Sequence, residues 1–198
     1  MSGYYPVNLK IKGKKCVVVG GGEVAERKVK LLLEKGASVT IISPEITSRL
    51  EKLRWEGKIS HLPVTYFSSP LKDAFLVIAA TDDRTINSCV AQDASKLGIL
   101  VNVVDSPAES SFILPATLSR GDLTIAVSTA GKSPALARKI KDDLAFIYPE
   151  KYGDLLDMIA KVRGKIKRKY PDSQRRKQIW RELMERIQGK DTRHSKRK

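Results

Sequence analysis

The chain has little cysteine, little histidine, no long apolar run and a deficit of acid. Of its 198 residues only Cys16 and Cys89 are cysteine, too few for a disulfide framework. A cytoplasmic protein with reduced thiols is expected. No apolar run approaches the ~20 residues that span a bilayer, so a membrane is not an expected partner. The N-terminal Met-Ser-Gly-Tyr-Tyr-Pro lacks the charged and apolar regions of a signal peptide. The only histidines, His61 and His194, have no Cys or His partner at ligand spacing, so no fixed metal site is expected. Acid is the clearest shortage: 22 acidic residues stand against 37 basic ones, a net charge of +15. Taken alone, that balance suggests nucleic acid. The excess is local, however. Residues 1–160 carry 21 basic and 18 acidic side chains, net +3, whereas residues 161–198 carry 16 and 4, net +12.

What is present is an ordinary globular composition, 41% hydrophobic and 30% charged, on a chain long enough to bury a core. Short Val- and Ile-rich runs alternate with helical spacing. Strands are predicted at 14–19, 38–42, 59–64, 75–79 and 99–104, with helices at 25–34, 45–55 and 82–97. Gly36 and Gly98 stand where helices should end. Near-continuous apolar strands alternating with helices argue for a parallel sheet covered on both faces, the doubly wound, Rossmann-like α/β pattern. After Asp105 the rhythm changes. Residues 112–118 and 123–128 read as a hairpin around Ser119-Arg120-Gly121-Asp122. A helix follows from Ser133-Pro134 to about Ile147, ended by Pro149. Residues 151–168 and 172–187 read as two more helices divided by Pro171, and 188–198 as a frayed basic tail. The expected division is a nucleotide-binding domain over 1–113, a small α+β segment over 114–150, and a basic helical region over 151–198.

Gly20-Gly21-Gly22-Glu23-Val24-Ala25 fits G-x-G-x-x-A directly after the first strand. Gly20 permits the tight turn, Gly22 lets the backbone approach a pyrophosphate, and Ala25 lets the helix pack close to the sheet. The pyrophosphate would sit on the helix N-terminus, where N–H groups and the dipole favour anions. Glu23 and Val24 supply such N–H groups. The second strand ends at Ser43-Pro44-Glu45. Glu45 either reaches the ribose hydroxyls or favours the start of the next helix. No Arg stands there for a 2′-phosphate, so NAD is favoured over NADP.

The motif Gly20–Lys28 is followed by Ala79-Ala80-Thr81-Asp82-Asp83, Asn102-Val103-Val104-Asp105, Ser111-Phe112-Ile113-Leu114-Pro115-Ala116 and Ser133-Pro134-Ala135-Leu136-Ala137-Arg138. In this order and spacing the chain resembles the precorrin-2 dehydrogenase family, including the N-terminal half of bacterial sirohaem synthase, over roughly residues 4–150. Without the methyltransferase domain of the bifunctional synthase, it resembles the stand-alone form. The resemblance implies NAD⁺-dependent oxidation of precorrin-2 to sirohydrochlorin, with hydride and proton loss. Some members also insert Fe²⁺ to give sirohaem, and that lyase activity stays open here. A homodimer is implied, with the segment after the Rossmann domain at its interface.

Asp105 follows the last predicted strand at the edge where doubly wound sheets bind ligands. On the residues alone it is either a carboxylate that accepts a proton or a turn-former before Ser106-Pro107. The resemblance implies the catalytic role. Ala80, Thr81 and Asp82 end a strand at the same edge, and Thr81 and Asp82 contact the cofactor, cap the next helix, or both. The resemblance places Asn102 and Val103 on the nicotinamide side. Ser128, Thr129, Gly131, Lys132 and Ser133 form a polar turn before a helix, either an anion site for a polycarboxylate substrate or an ordinary N-cap. Arg138 in that helix either pairs a substrate carboxylate or is a solvated charge.

The basic region keeps apolar stripes at Ile159, Val162 and Ile166 and at Ile179, Leu183 and Ile187. Its charge reads as a solvated helix face, as a funnel for an anionic substrate, or as a nucleic-acid surface. The last is disfavoured by having only Tyr170 and Trp180 as stacking groups. Two readings from other classes stand beside the dehydrogenase: a non-catalytic nucleotide-sensing Rossmann module and a basic nucleic-acid-binding protein.

Overall fold

A computed structural model of the chain describes residues 3–67 and 71–195. The chain divides into two compact units, Met1–Pro115 with Ser128–Ser133, and Ala116–Val127 with Pro134–Lys198.

The first unit is built on five parallel strands: β1 (Lys15–Val19), β2 (Ser38–Ile42), β3 (Ile59–Leu62), β4 (Leu76–Ala79) and β5 (Leu100–Val103), in the order β3-β2-β1-β4-β5. Both faces are covered, so the strands need apolar residues at successive positions instead of alternating ones. Cys16, Val17, Val18 and Val19 are accordingly all buried. One face, with Val18, Ile41 and Ile78, packs on α1 (Glu23–Glu34) and α2 (Ser48–Trp55); the other, with Val17, Val77 and Val101, packs on α3 (Arg84–Lys96). Burial pushes the Cys16 thiol up to about 11, so it stays protonated and acts as a small apolar side chain. The order reverses on either side of β1, and such a switch point opens a crevice at the C-terminal strand ends.

Several boundaries move from the sequence reading, each for a local reason. Helix α1 starts at Glu23, two residues early, with Gly22 as its cap. Helix α2 starts at Ser48 instead of Glu45, because Thr47 Oγ1 accepts from Leu50 N at 3.3 Å. The expectation that Thr81 or Asp82 caps α3 is corrected. Asp83 does so, its Oδ1 accepting from Thr85 N at 2.7 Å and Ile86 N at 3.3 Å. Strand β3 ends at Leu62, where Pro63 brings no N–H.

The second unit holds a hairpin, β6 (Ala116–Arg120) and β7 (Leu123–Val127), joined by Gly121-Asp122. The expected start of its first strand at Phe112 is four residues too early. Ser111 N and Phe112 N instead donate to Val101 O, along β5. Helices α4 (Pro134–Ile147) and α5 (Lys151–Lys169) pack on the hairpin. Arg120 ties it to the α4–α5 junction: its Nε donates to Tyr148 O at 2.9 Å and its Nη1 pairs with Glu150 at 2.8 Å. Helix α6 (Ser173–Ser195) begins after Pro171, with Asp172 accepting from Arg175 N at 2.6 Å. It continues past the expected end at Ile187, so much of the tail read as frayed is helical; residues 196–198 lie outside those described. Among the described residues no helix is long and apolar enough to cross a membrane.

Candidate functional site

A cavity of about 990 Å³ opens at the C-terminal ends of the strands of the first unit. Strand β1 runs into it through Val19 and the glycine loop, β2 through Ile42, β4 through Ala80, and β5 through Val103 and Asp105. The volume suits a dinucleotide-sized ligand.

The glycine loop forms one wall. Gly20 has φ +116°, a conformation closed to most L side chains, and a Cβ there would overlap Ala80 O. Gly21 is tighter still, since its Cβ would overlap the Glu45 carbonyl oxygen. The sequence motif leaves this middle position open; the fold requires glycine there because the β2–α2 loop folds over it. A Cβ on Gly22 would meet nothing, so its face is open to the cavity. Gly22 also brings no side-chain cap to α1. The helix N-terminus therefore offers N–H groups, including those of Glu23 and Val24, to an anion at this wall. This is the fit expected for a pyrophosphate.

The β2–α2 loop is fixed from α1. Thr47 Oγ1 donates to Glu26 Oε2 at 2.7 Å, and Arg49 Nη1 pairs with Glu26 Oε1 at 3.2 Å. The Thr47 hydroxyl holds the Glu26 carboxyl below the usual carboxylate range, against some desolvation and with help from Arg49. Ser43, Pro44 and Glu45 all line the cavity, with the Glu45 side chain exposed.

Beyond β4, Ala80, Thr81 and Asp82 also line it. The turn is shaped by Asn87, which the sequence reading missed. Its side chain is 6% exposed, its Oδ1 accepts from Thr81 Oγ1 at 2.8 Å and from Thr81 N at 3.2 Å, and its Nδ2 donates to Thr81 O at 2.9 Å. The available signal is an amide on the buried stripe Asn87, Val90, Ala91, Ala94 of α3, where an apolar residue belongs. Tyr66 adds an aromatic wall. Its hydroxyl donates to Asp93 Oδ2 at 3.0 Å, and burial, with Asp93 next, raises its pKa so that it stays a phenol.

At the far side Val103, Asp105, Ser106 and Glu109 line the cavity. Asp105 is exposed and has φ +59°, an unusual backbone for a non-glycine residue. Half-buried Lys28, one helical turn beyond Val24, feels its charge. Burial, then Arg27, hold the Lys28 ammonium below its usual range, while the Asp105 carboxylate pulls the other way. Asn102 is turned from the cavity: it is 8% exposed and its Nδ2 donates to Phe112 O at 3.0 Å. The turn Ser128–Ser133 belongs to the same unit but does not line the cavity. Thr129 Oγ1 accepts from Ser133 N and Ser128 Oγ from Ala130 N, and Gly131 (φ +82°) leaves room beside Pro107, two residues from Asp105. Arg138 is exposed on α4 in the second unit. Among the described residues no three His, Cys, Asp or Glu side chains are grouped to hold a metal ion.

Known proteins with similar sequences converge on one family. Residues 7–116 match the family described as "Putative NAD(P)-binding", residues 120–145 that of the sirohaem biosynthesis protein central region, and residues 151–191 that of the sirohaem synthase dimerisation region. Sirohaem synthase of Methylobacillus flagellatus is 40% identical over 93% of this chain, and that of Chromobacterium violaceum 41% over 92%. The chain spans only 39% of the length of either relative. The solved structure of SirC, precorrin-2 dehydrogenase, superposes with a TM-score of 0.77 at 30% identity, covering 91% of this chain and 89% of that one. With a glycine loop, an uncapped helix and a strand-edge carboxylate on one parallel sheet, and with a solved relative matched almost end to end, the chain belongs to the precorrin-2 dehydrogenase family.

Proposed function

We propose that this protein is an NAD-dependent dehydrogenase that oxidises precorrin-2 to sirohydrochlorin. The observation that carries the reading is a single cavity with an anion-ready helix N-terminus at one wall and Asp105, in a left-handed backbone conformation, at another. Unusual backbone at a ligand-facing residue is characteristic of functional sites.

Gly20 and Gly22 let the backbone come close to the pyrophosphate, and the N–H groups of Glu23 and Val24 receive its charge. Ser43, Pro44 and Glu45 border the adenosine ribose; the Glu45 carboxylate accepts from its hydroxyls and disfavours a 2′-phosphate, so NAD is preferred to NADP. Ala80, Thr81 and Asp82 flank the cofactor from β4, and Val103 from β5. NAD⁺, when bound, accepts the hydride that leaves the macrocycle. Asp105 takes the proton lost with it, a transfer that needs a carboxylate within reach and access to solvent. Asn102 acts from beneath, by holding the chain after Asp105. Ser128, Thr129 and Ser133 offer polar groups to the substrate's carboxylates.

A homodimer is supported by the dimerisation-region match over 151–191 and by exposed apolar side chains on α4, with Phe146 87% and Ile147 59% exposed. A cytoplasmic setting fits two free cysteines. Insertion of Fe²⁺ into sirohydrochlorin is a separate activity, assayed with Fe²⁺ and without NAD⁺ against the spontaneous rate.

The test is turnover. Purified protein with precorrin-2 and NAD⁺ should form sirohydrochlorin, followed by absorbance. Asp105→Ala should bind NAD⁺ within about twofold of wild type and lose at least roughly 100-fold in kcat, within the general acid–base range. A folded, NAD-binding wild type without turnover overturns the reading, and full activity in Asp105→Ala removes Asp105 from it.

A further inference from the structure

The chain that follows Asp105 is held to the edge of β5 by side chains as well as by backbone N–H groups. Strand β5 is at the sheet edge, so its outer N–H and C=O groups need partners. The backbone N–H groups of Ser106, Ser111 and Phe112 supply part of them, and two serine side chains supply the rest. Ser110 Oγ accepts from Val103 N at 2.9 Å and donates to Ser106 O at 2.9 Å. Ser111 Oγ accepts from Val101 N at 2.8 Å and donates to Val101 O at 3.2 Å. These bonds close the Asp105 turn on itself, between Val103 before it and Ser106 after it. Two contacts reach outside the turn: Val104 N donates to Ala79 O at the end of β4 at 2.9 Å, and one side chain reaches α3. Glu109 accepts from Ser106 Oγ at 2.7 Å with one carboxylate oxygen, and from Ser88 Oγ on α3 with the other. Those two hydroxyls hold the Glu109 carboxyl below the usual range. Helix α3 is the element whose N-terminal turn, Asp83 to Asn87, lines the cofactor cavity.

We infer that Glu109 is a positioning residue for Asp105: through Ser106 and Ser88 it clamps the Asp105 turn to α3 and so fixes the carboxylate relative to the cofactor cleft. The inference rests on the proposed role of Asp105. The clamp uses charge-assisted bonds, which resist the relaxation of a left-handed aspartate toward an ordinary conformation. Small displacements of a reacting group carry large rate penalties, so loosening this turn should appear in kcat before it appears in cofactor affinity.

The experiment compares wild type, Glu109→Ala, Glu109→Gln and Asp105→Ala with precorrin-2 and NAD⁺, and follows hydrogen exchange of the amides of residues 103–111 in the protein without substrate. Glu109→Ala should lower kcat at least fivefold, with NAD⁺ affinity and the KM for precorrin-2 within twofold. Exchange at Ser106, Glu109 and Ser110 should rise at least tenfold. Glu109→Gln, which can accept from one serine and donate to the other, should recover at least half of the lost rate. Should Glu109→Ala fail to fold, Ser106→Ala removes one of the two donors and is held to the same rate and exchange outcomes. A Glu109→Ala protein with wild-type kcat and wild-type exchange overturns the inference while Asp105→Ala stays dead. Conversely, an active Asp105→Ala removes the proposed role of Asp105, and the exchange data still decide whether Glu109 clamps the turn.

Discussion

Asn87 shows what a single buried amide does for this site. It is the only partner the Thr81 backbone has in the turn that leaves β4, among the hydrogen bonds of the described residues. Replacing it with Ala leaves a half-buried N–H and C=O unpaired, a loss of about 1–3 kcal/mol. Asn87→Ala should therefore unfold at lower urea concentration with an unchanged m-value. A midpoint equal to wild type would show that water replaces the amide at no cost. Gly21 makes a parallel point. The sequence motif counts it as a free position, yet the Glu45 carbonyl leaves no room for a Cβ. Asp105 was legible by type and place, at the end of an apolar strand. Its left-handed backbone and its interaction with the Lys28 charge were not: the first depends on the hydrogen bonds of its own turn, which have no periodic trace, and the second on a residue far away in the chain.

At the scale of elements, strands and helices were readable from apolar runs and spacing, and their ends less so. Helix α2 begins at Ser48 because Thr47, not Glu45, supplies the cap, and Thr47 is in turn bound to Glu26 on α1. This inter-element tie gives a pH dependence. The folded-state pKa of Glu26 lies below its ordinary value of 4.5, chiefly through the Thr47 hydroxyl. The ionised form is therefore favoured by folding, so the stability it contributes is complete above about pH 4.5 and is lost as pH falls through the lower, folded value. Thermal unfolding between about pH 6 and pH 3 should show a shallower acid decline for Glu26→Gln than for wild type. Equal slopes would place the acid sensitivity elsewhere. The first strand of the hairpin illustrates a different failure. Residues 112–115 are apolar enough for a strand, but Ser111 and Phe112 are spent on the edge of β5.

For the whole molecule, the +15 charge is mostly a property of residues 161–198. Those residues form much of α5 and α6 and fall largely within the match to a dimerisation region. Amphipathic basic helices of this kind bury one stripe and leave charge outside. If a second copy covers the exposed apolar side chains of the second unit, wild type should run as a particle of twice 22.0 kDa in sedimentation equilibrium. Phe146→Glu should shift that equilibrium toward monomer without lowering the unfolding midpoint of the isolated chain, since Phe146 is 87% exposed. A wild-type monomer at all concentrations would end the dimer proposal.

The sequence by itself determined the parallel Rossmann-like sheet, the glycine loop and a carboxylate at the strand edge. These follow from local period, from glycine at a turn and from chain order, all of which survive without knowledge of the fold. Tertiary structure decided the rest: that Gly21 meets Glu45, that Asn87 builds the β4 turn, that Asn102 points away from the cavity, and that Glu109 reaches α3. Most of these are contacts between segments well separated in sequence, and side-chain hydrogen bonds of that kind leave no periodic trace for a linear reading to find.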